Sequence, residues 1–468
     1  MAACATLRIN MKRRSELVSN RGCRRLTETI KGRVVLPGHH AYDDARASWN
    51  QIDQKPAVII QCGAIGDVPA ALRLAQTEGL AVAVNSTGHG AVLPCDGGLL
   101  IDTFSLVHMT VNSDAGTATI EPGVRWMQFM ETAHRAGVAG PSGFASDVGV
   151  VGFTLGGGMG WLSRTYGLAA DNVVDAEVVL ADGTVVLASE PQHADLLWAI
   201  CGGGGNFGIV TSLTLRCAPV TEVYGGALHY AYADAPSLLR RFADWTRDIP
   251  ETMTGAFTIA KNPPDPMIPK QIRGKTTATV GVCFLGSESG GAALTRTWRA
   301  DAVLLGQLKM LPTSELGMIE PGPPKGMVAY KACAEFMTLD GITEMLVDAF
   351  ADRSPVSQIE IRHLGGAVSR AGADALGHRD AQYVVVVESV LHAPNDEGAA
   401  REYTSRLLER LRPHATGGAT LSFLPEGAEG VSQVPRAFTP EQYARLRAVK
   451  TKYDPSNIFR LNYNIPPL

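Results

Sequence analysis

Short apolar runs alternate with amphipathic segments along the chain from residue 56 onward. Residues 56–62 (PAVIIQC) and 80–84 (LAVAV) are continuous apolar runs with the length of buried strands. Between them, Asp67 is placed to start a helix and Gly79 to end it. The pattern therefore predicts a strand–helix–strand unit whose second strand runs into a polar loop at 85–90.

Similar patterns predict further elements on both sides of Pro219. Before it we expect strands at 98–103, 117–123 and 208–217, helices at 126–137 and 193–200, and a hairpin over 173–189 that turns at Asp182–Gly183. After it we expect strands at 225–232, 277–284, 358–363 and 382–388, helices at 235–247, 341–351 and 399–412, a helix begun by a capping box at Thr439–Gln442, and proline-rich loops at 262–270 and 320–325. The second part is typical of an α+β domain with a mainly antiparallel sheet.

Charge and composition exclude several classes of protein. The 468 residues carry a formal net charge of −4 without a basic stripe, so we expect no nucleic-acid or membrane-surface partner. The eight cysteines form no CxxC pair, so we expect no metal site. No apolar run reaches about 18 residues, and the basic N-terminal stretch lacks the apolar core of a secretory signal. We therefore expect a cytoplasmic protein with a short N-terminal tail, in which Met11 is an alternative start.

Two glycine-rich segments indicate a bound ligand. Six glycines fall within residues 149–160, a density that can supply many backbone N–H groups to ligand oxygens. Residues 203–208 (GGGNFG) match the G-x-G-x-x-G pattern of dinucleotide-binding turns, which should follow a strand and open a helix. Here a helix is predicted before the pattern and a strand after it. We therefore reject a conventional NAD-binding turn and expect close backbone approach to a flat or bulky group.

The polar loop Asn85–Gly90 (NSTGHG) places one histidine, His89, directly after an apolar strand. By itself such a histidine is most often an ordinary loop residue. The two glycine-rich segments and the final segment 453–467 (YDPSNIFRLNYNIPP) change that interpretation. Together, in this order and spacing, the four segments indicate a flavin site.

The same four segments resemble those of the flavoprotein superfamily of p-cresol methylhydroxylase (PCMH) and vanillyl-alcohol oxidase. Within it, the chain is similar to the berberine-bridge-enzyme-like (BBE-like) branch, especially to bacterial members similar to 6-hydroxy-D-nicotine oxidase. The resemblance implies an α+β fold, with a PCMH-type FAD-binding domain of two α/β subdomains and a substrate domain whose mainly antiparallel sheet is covered by helices. The implied divisions are an N-terminal tail (1–33), the FAD-binding domain (34–219), the substrate-binding domain (220–434) and a BBE-like segment (435–468) that returns to the FAD domain.

The resemblance also implies which residues contact FAD. The pyrophosphate loop falls on residues 85–90, and an 8α-histidyl bond would join His89 to the flavin. Val148 falls at the position that controls the access of oxygen. The implied cofactor residues are Asn85, Ser86, Thr87, Gly88, His89, Gly90, Val148, Gly149, Gly152, Gly158, Asn172, Gly208, Ile209, Val210, Asn462 and Asn464.

Four departures from the family pattern bear on the cofactor and the chemistry. Ala145 stands where bicovalent relatives carry a second flavin-linking cysteine, so a single attachment is expected. Asn85 replaces the arginine of the loop and Thr87 replaces a glycine, so backbone N–H groups or other donors must meet the pyrophosphate charge. Residues 420–423 (TLSF), which we expect on a strand, lack the tyrosine of the Y-x-N-F motif found in many alcohol-oxidising relatives.

We expect an oxidase that moves a hydride from a carbon bearing nitrogen or oxygen to the flavin and passes the electrons to O2, giving hydrogen peroxide. An alcohol needs a base for its O–H proton, whereas a neutral amine already has a lone pair, so the missing tyrosine favours amines. Otherwise another residue must serve, and His363, Tyr383 and Glu388 on predicted strands are the catalytic candidates. The expected partners are a small organic substrate of secondary metabolism and O2, and the expected state is a monomer or homodimer. Two alternatives stay open: a flavin-bearing protein that sequesters a drug, and a dehydrogenase with a non-oxygen acceptor.

Overall fold

The computed structural model describes residues 20–299, 301–322, 326–350, 354–370, 372, 374–393 and 395–468. These residues form three β-sheets with helices packed on their faces. The alternative start, Met11, lies outside the described residues. No helix in the described ranges is long and apolar enough to cross a membrane.

The strands and helices are numbered in chain order. The strands are β1 (Arg33–Val35), β2 (Val58–Gln61), β3 (Val82–Asn85), β4 (Leu99–Asp102), β5 (Met109–Asn112), β6 (Thr117–Ile120), β7 (Val173–Val179), β8 (Val185–Ser189), β9 (Ile209–Arg216), β10 (Glu222–Ala231), β11 (Met253–Lys261), β12 (Thr276–Phe284), β13 (Leu305–Gly306), β14 (Lys309–Pro312), β15 (Ala329–Phe336), β16 (Gln358–His363) and β17 (Tyr383–Val390). The α-helices are α1 (Asn20–Thr29), α2 (Tyr42–Ala45), α3 (Asp67–Glu78), α4 (Trp126–Arg135), α5 (Val150–Leu155), α6 (Ser163–Tyr166), α7 (Ala194–Gly203), α8 (Ala235–Asp248), α9 (Glu288–Leu294), α10 (Thr343–Asp348), α11 (Asp396–Leu411), α12 (Gly427–Gln433) and α13 (Pro440–Tyr453).

Two of the sheets come from the chain before Pro219. A four-stranded sheet has the order β1-β2-β4-β3, in which β2, β4 and β3 are parallel and β1 is antiparallel at the edge. Its strands are apolar on both faces because helices cover both: Val58 and Ile60 pack with α3, and Ile59 packs on the other face with Ala45 of α2. A five-stranded antiparallel sheet has the order β5-β6-β9-β7-β8.

The third sheet comes from the chain after Pro219 and is antiparallel throughout. Its order is β13-β10-β12-β11-β16-β17-β15, and β14 also pairs with β10. Side chains alternate between its two faces. In β16, Ile359 and Ile361 enter an apolar core with α8, α10 and α11, whereas Glu360 and Arg362 face a large cavity. The sheet therefore presents a polar wall toward the first part of the chain.

Several local predictions are confirmed. Gly79 ends α3 with a φ of 64°, in the left-handed region that favours glycine. Thr439 and Gln442 form both hydrogen bonds of the capping box that starts α13. Residues 203–208 lie between helix α7 and strand β9, which is the reversed context predicted from the sequence. The predicted α+β fold, with an antiparallel sheet in the part of the chain after Pro219, is confirmed as well.

Other expectations are corrected. Asp67 is not the N-cap of α3, because it is the first helical residue and its carboxylate instead accepts hydrogen bonds from the backbone N–H groups of Lys31 and Gly32 at 2.9 and 2.8 Å. Residues 20–29 of the expected tail form helix α1, whose Leu26 is buried in the core with α3. Residues 421–423 form a 3₁₀ turn rather than a strand.

Strand β15 was not predicted from the sequence. Its residues Ala332–Phe336 are all buried, so the strand lacks the alternation of apolar and polar residues that would have marked it. Strands β1, β5, β11, β13 and β14 were missed as well.

Candidate functional site

A cavity of about 2850 Å³ lies between the polar wall of the third sheet and the loops of the other two. The loop that continues β3 and the two glycine-rich segments form one side, and residues of β10, β11, β12, β15, β16 and β17 form the other. All but two of the predicted cofactor residues line this cavity, namely Asn85, Ser86, Thr87, Gly88, His89, Gly90, Val148, Gly149, Gly152, Gly158, Gly208, Ile209, Val210 and Asn462.

The two exceptions are Asn172 and Asn464, which do not line the cavity. The Asn172 amide donates hydrogen bonds to the carbonyl oxygens of Tyr166 and Leu168, at 3.0 and 2.8 Å, and so holds its own loop together. The Asn464 side-chain oxygen is buried without a partner among the described residues. The geometry therefore favours a structural role for the Asn172 side chain instead of contact with the cofactor.

The loop at the end of β3 offers a row of unused donors. The backbone N–H groups of residues 86–90 donate no hydrogen bond to any atom of the described chain. Gly88 has a φ of 83° and lies so close to Trp49 that a Cβ would come within 2.5 Å of the Trp49 backbone nitrogen. Free N–H groups in succession form an anion-binding concavity. They can meet the charge of a pyrophosphate where Asn85 has replaced the arginine.

His89 is held on three sides at the edge of the cavity. Its Nδ1 lies 2.9 Å from Thr87 Oγ1, and its ring stacks on Trp49 with centroids 4.6 Å apart. Its Nε2 lies 3.2 Å from Asp147 Oδ2, without the alignment of a hydrogen bond. Asp147 also accepts from the Trp49 indole N–H at 3.2 Å, and its proximity to His89 lowers the pKa of its carboxyl. Thr87, which departs from the family glycine, thus contributes directly to the orientation of the ring.

The C-terminal segment is locked against the second glycine-rich segment by a buried ion pair. Lys450 Nζ, on a fully buried side chain, donates to Asp454 Oδ2 and to the Asn206 carbonyl oxygen, both at 2.7 Å, and to the Phe459 carbonyl oxygen at 3.2 Å. This network places Asn462 at the cavity, where its side-chain oxygen is buried and has no hydrogen-bond partner in the described part of the chain. An unpartnered acceptor in such a place indicates a ligand or water that donates to it.

The three predicted catalytic residues do not come together. Glu388 lines the large cavity on β17, opposite Lys331 of β15, and burial raises the pKa of its carboxyl. His363 and Tyr383 point to the other face of the sheet, where they stack on each other 5.4 Å apart and line a separate small cavity. The geometry therefore does not support His363 and Tyr383 as residues that touch a substrate of the large cavity.

Two further carboxylates line the cavity: Glu320, which sequence reasoning missed, and Glu360, which lies on the same predicted strand as His363. Glu360 lines the cavity and is bound by Arg362 through two hydrogen bonds of 2.7 and 3.0 Å. Glu320 accepts from Thr258 Oγ1 at 3.2 Å, and burial together with the nearby Glu360 raises its pKa to about 8. Glu320 belongs to a proline-rich loop that packs on Ala145, since a Cβ on Gly322 would lie 2.9 Å from the Ala145 methyl group. Nothing in the sequence marks this loop as part of a site.

Thr420 occupies the position where the family tyrosine is missing. Its hydroxyl donates to Glu335 Oε1 at 2.9 Å, and burial raises the pKa of Glu335 to about 7. Glu335 Oε2 is buried and has no partner among the described residues. Position 420 therefore positions a buried carboxyl group in this protein instead of supplying a phenol.

These features together fit an FAD molecule. The free N–H groups at residues 86–90 suit its pyrophosphate, and the unpartnered Asn462 oxygen suits a donor on the ligand. Three glycines of the two segments, Gly152, Gly204 and Gly205, face open space and leave room for a large flat ligand. The fold and site thus define a flavoprotein.

Comparison with known proteins agrees with this class. Residues 56–189 match a family described as "FAD binding domain", and residues 426–466 match one described as "Berberine and berberine like". The chain is 28% identical to (R)-6-hydroxynicotine oxidase of Paenarthrobacter nicotinovorans, covering 94% of this chain and 97% of that protein. It is 27% identical to an FAD-linked oxidoreductase of Dictyostelium discoideum, covering 94% and 96%. The crystal structure of 6-hydroxy-D-nicotine oxidase from Arthrobacter nicotinovorans superposes with a TM-score of 0.81 at 26% identity, covering 94% and 99%.

The two family matches and the full-length relatives together support a PCMH-type, BBE-like FAD oxidoreductase. Its cofactor is FAD and its class of reaction is oxidation–reduction.

Proposed function

We propose that this protein is an oxidase that carries FAD on a single covalent bond to His89 and oxidises a C–N or C–O bearing carbon of a small organic molecule. When bound, FAD supplies an acceptor for the hydride and a route for the electrons to O2, giving hydrogen peroxide. The observation that carries the proposal is the large cavity, which joins His89 and the free N–H groups of its loop to a wall of ionisable side chains.

The surroundings of His89 suit it as a nucleophile. Each ring nitrogen has a polar neighbour, since Thr87 Oγ1 lies 2.9 Å from Nδ1 and Asp147 Oδ2 lies 3.2 Å from Nε2. Together with the stacking on Trp49, these neighbours hold the ring in one orientation at the edge of the cavity. Ala145 has no nucleophilic group, which supports a single attachment.

Acid precipitation tests the attachment. We expect a yellow pellet and a fluorescent band on a denaturing gel, and we expect His89→Ala to move the flavin into the supernatant. His108→Ala is the matched control, because His108 lies outside the cavity. A colourless pellet from the wild-type protein would refute the covalent bond while leaving the fold intact.

Glu320 and Glu388 are the groups that we propose to handle the substrate proton. Both line the cavity, and burial raises the pKa of both carboxyl groups. The Glu320 pKa is raised to about 8, so this group can exchange a proton near neutral pH. Glu360 is less suited, because two hydrogen bonds from Arg362 already engage its two carboxyl oxygens. The Thr420 hydroxyl already donates a hydrogen bond to Glu335, and position 420 supplies no phenolic base. This supports substrates that need no such base, such as amines.

A screen of amines and alcohols with the protein in air-saturated buffer tests the reaction. We expect a substrate to bleach the flavin and to generate hydrogen peroxide. Glu388→Gln and Glu320→Gln should lower the rate, whereas Glu222→Gln, which is exposed on β10 and lies outside the cavity, should not. Bleaching without peroxide in air would indicate a dehydrogenase with another acceptor, and tight binding without bleaching would indicate sequestration.

A further inference from the structure

A second, small cavity of about 240 Å³ lies on the face of the third sheet opposite the large one. Its floor is formed by Arg164, Thr246, His363 and Tyr383, which are all at most 5% exposed. Its rim includes the exposed residues Met337 and Thr338. The cavity lies at a junction, because Arg164 comes from α6 in the first part of the chain and the other residues come from the second part.

Arg164 is a buried cation that forms no direct ion pair with a carboxylate of the described residues. Its Nε donates to the Met253 carbonyl oxygen at 2.8 Å, and its Nη1 donates to His363 Nε2 at 3.0 Å and to the Leu364 carbonyl oxygen. Within the described residues its Nη2 makes no hydrogen bond and no carboxylate forms an ion pair with it. The partly buried Arg362 and Arg379, in contrast, are each paired with carboxylates.

His363 presents a second donor without an acceptor. A guanidinium can only donate, so His363 Nε2 accepts from Arg164 and the proton of the neutral ring is on Nδ1. Burial and the charge of Arg164 lower the His363 pKa to about 2, so the ring is neutral. Nδ1 is buried and has no partner among the described residues.

None of the described residues that line the cavity is acidic. Burial lowers the pKa of Arg164 to about 10, and the nearby charge of Glu251 opposes this shift only in part. The Glu251 carboxylate is itself paired with Arg370 at 3.1 Å. At the rim, Arg247 is held by Asp244 and Asp340 at 3.0 and 2.5 Å. A buried charge costs several kcal/mol unless it is paired. A water molecule could accept the free N–H groups, but it would not neutralise Arg164.

We propose that this cavity is a binding site for a small tetrahedral oxyanion, phosphate or sulfate, which accepts hydrogen bonds from Arg164 Nη2 and His363 Nδ1. Arginine and oxyanions form strong charge-assisted hydrogen bonds. The cavity of about 240 Å³ is smaller than the ~300–1,000 Å³ typical of sites for organic ligands. An ion of this kind braces the junction between the cofactor-binding part and β16, so its binding is measurable as stability without any substrate.

A charge introduced at the rim tests the proposal in the holoprotein. Thr338 is exposed, and Thr338→Glu places a carboxylate where it competes with the ion; Thr338→Gln is the matched neutral control. Sodium phosphate and sodium sulfate are compared with sodium chloride and sodium acetate at equal ionic strength. We expect phosphate or sulfate at ten to twenty times its Kd to raise the melting temperature of the wild type and of Thr338→Gln by about 2 °C. We expect Thr338→Glu to lose this response and to melt higher than Thr338→Gln in chloride.

The location of the ion is tested by selenate, whose anomalous scattering in a soaked crystal should fall between Arg164 and His363. An equal rise of the melting temperature in chloride would refute the proposed site. An equal response of Thr338→Glu and Thr338→Gln to phosphate or sulfate would refute it as well. A response to acetate alone would show a carboxylate site and refute the tetrahedral ion. Selenate bound elsewhere, with only water at this position, would show that Arg164 is buried as an uncompensated cation.

Discussion

The buried pair Lys450–Asp454 ties the C-terminal segment to the second glycine-rich segment, and Lys450→Met removes its positive charge at nearly constant volume. Both side chains are fully buried, and the Asp454 carboxylate keeps only the N–H groups of Ile458 and Phe459, at 2.8 and 3.0 Å. An uncompensated buried charge costs about 3–5 kcal/mol. The carbonyl oxygens of Asn206 and Phe459 also lose their donor.

Lys452→Met is the control on the same helix. Lys452 is 58% exposed and forms an ion pair with Asp195 at 2.7 Å. Such an exposed pair contributes about 0–1 kcal/mol, because water and salt screen it. The difference between the two variants in the free energy of unfolding therefore measures the effect of burial separately from the loss of a lysine.

Urea unfolding followed by circular dichroism measures the free-energy difference. With an unfolding entropy of about 2.1 cal/mol/K per residue over 468 residues, a loss of 4 kcal/mol lowers the melting temperature by about 4 °C. The double variant Lys450→Met/Asp454→Leu should recover part of the loss, since neither charge then remains buried. If Lys450→Met cost no more than Lys452→Met, the ion pair would not be what holds the terminal segment.

Three further outcomes are expected. Asp147→Asn should slow the covalent attachment of FAD without preventing its binding, as measured by flavin in acid pellets over time; an unchanged rate would contradict the role given to Asp147. Burial raises the Glu320 pKa from 4.5 to about 8, so between those pH values the folded state holds a proton that the unfolded state has lost, and stability falls as pH rises. Glu320→Gln should flatten that slope in urea unfolding, and an identical slope would refute the shift. Thr439→Ala should cost about 1 kcal/mol in urea unfolding by removing the N-cap of α13, whereas the control Thr439→Ser, which keeps the capping hydroxyl, should cost much less.

Much of the cofactor half of the site follows from local sequence. The loop at 85–90 and the two glycine-rich segments line the cavity as predicted, because glycine density and a strand–loop transition are local properties. The catalytic prediction was less successful. Residues alternate between the faces of a strand, so Tyr383 and Glu388, five positions apart, cannot face the same cavity. The sequence alone was enough to apply that rule, but it did not show which of the two residues points into the cavity.

The sequence by itself determined the flavin class and the α+β architecture, and it indicated His89 as the proposed anchor, since each depends on short segments whose spacing carries the information. Only the tertiary structure decided which side chains meet. It placed Glu320 from a proline-rich loop beside Thr258 of β11, set Glu335 under Thr420, and buried Arg164 against His363. Those contacts join residues far apart in the chain. Burial shifts the pKa values of the ionisable groups among them, and no local sequence pattern encodes burial.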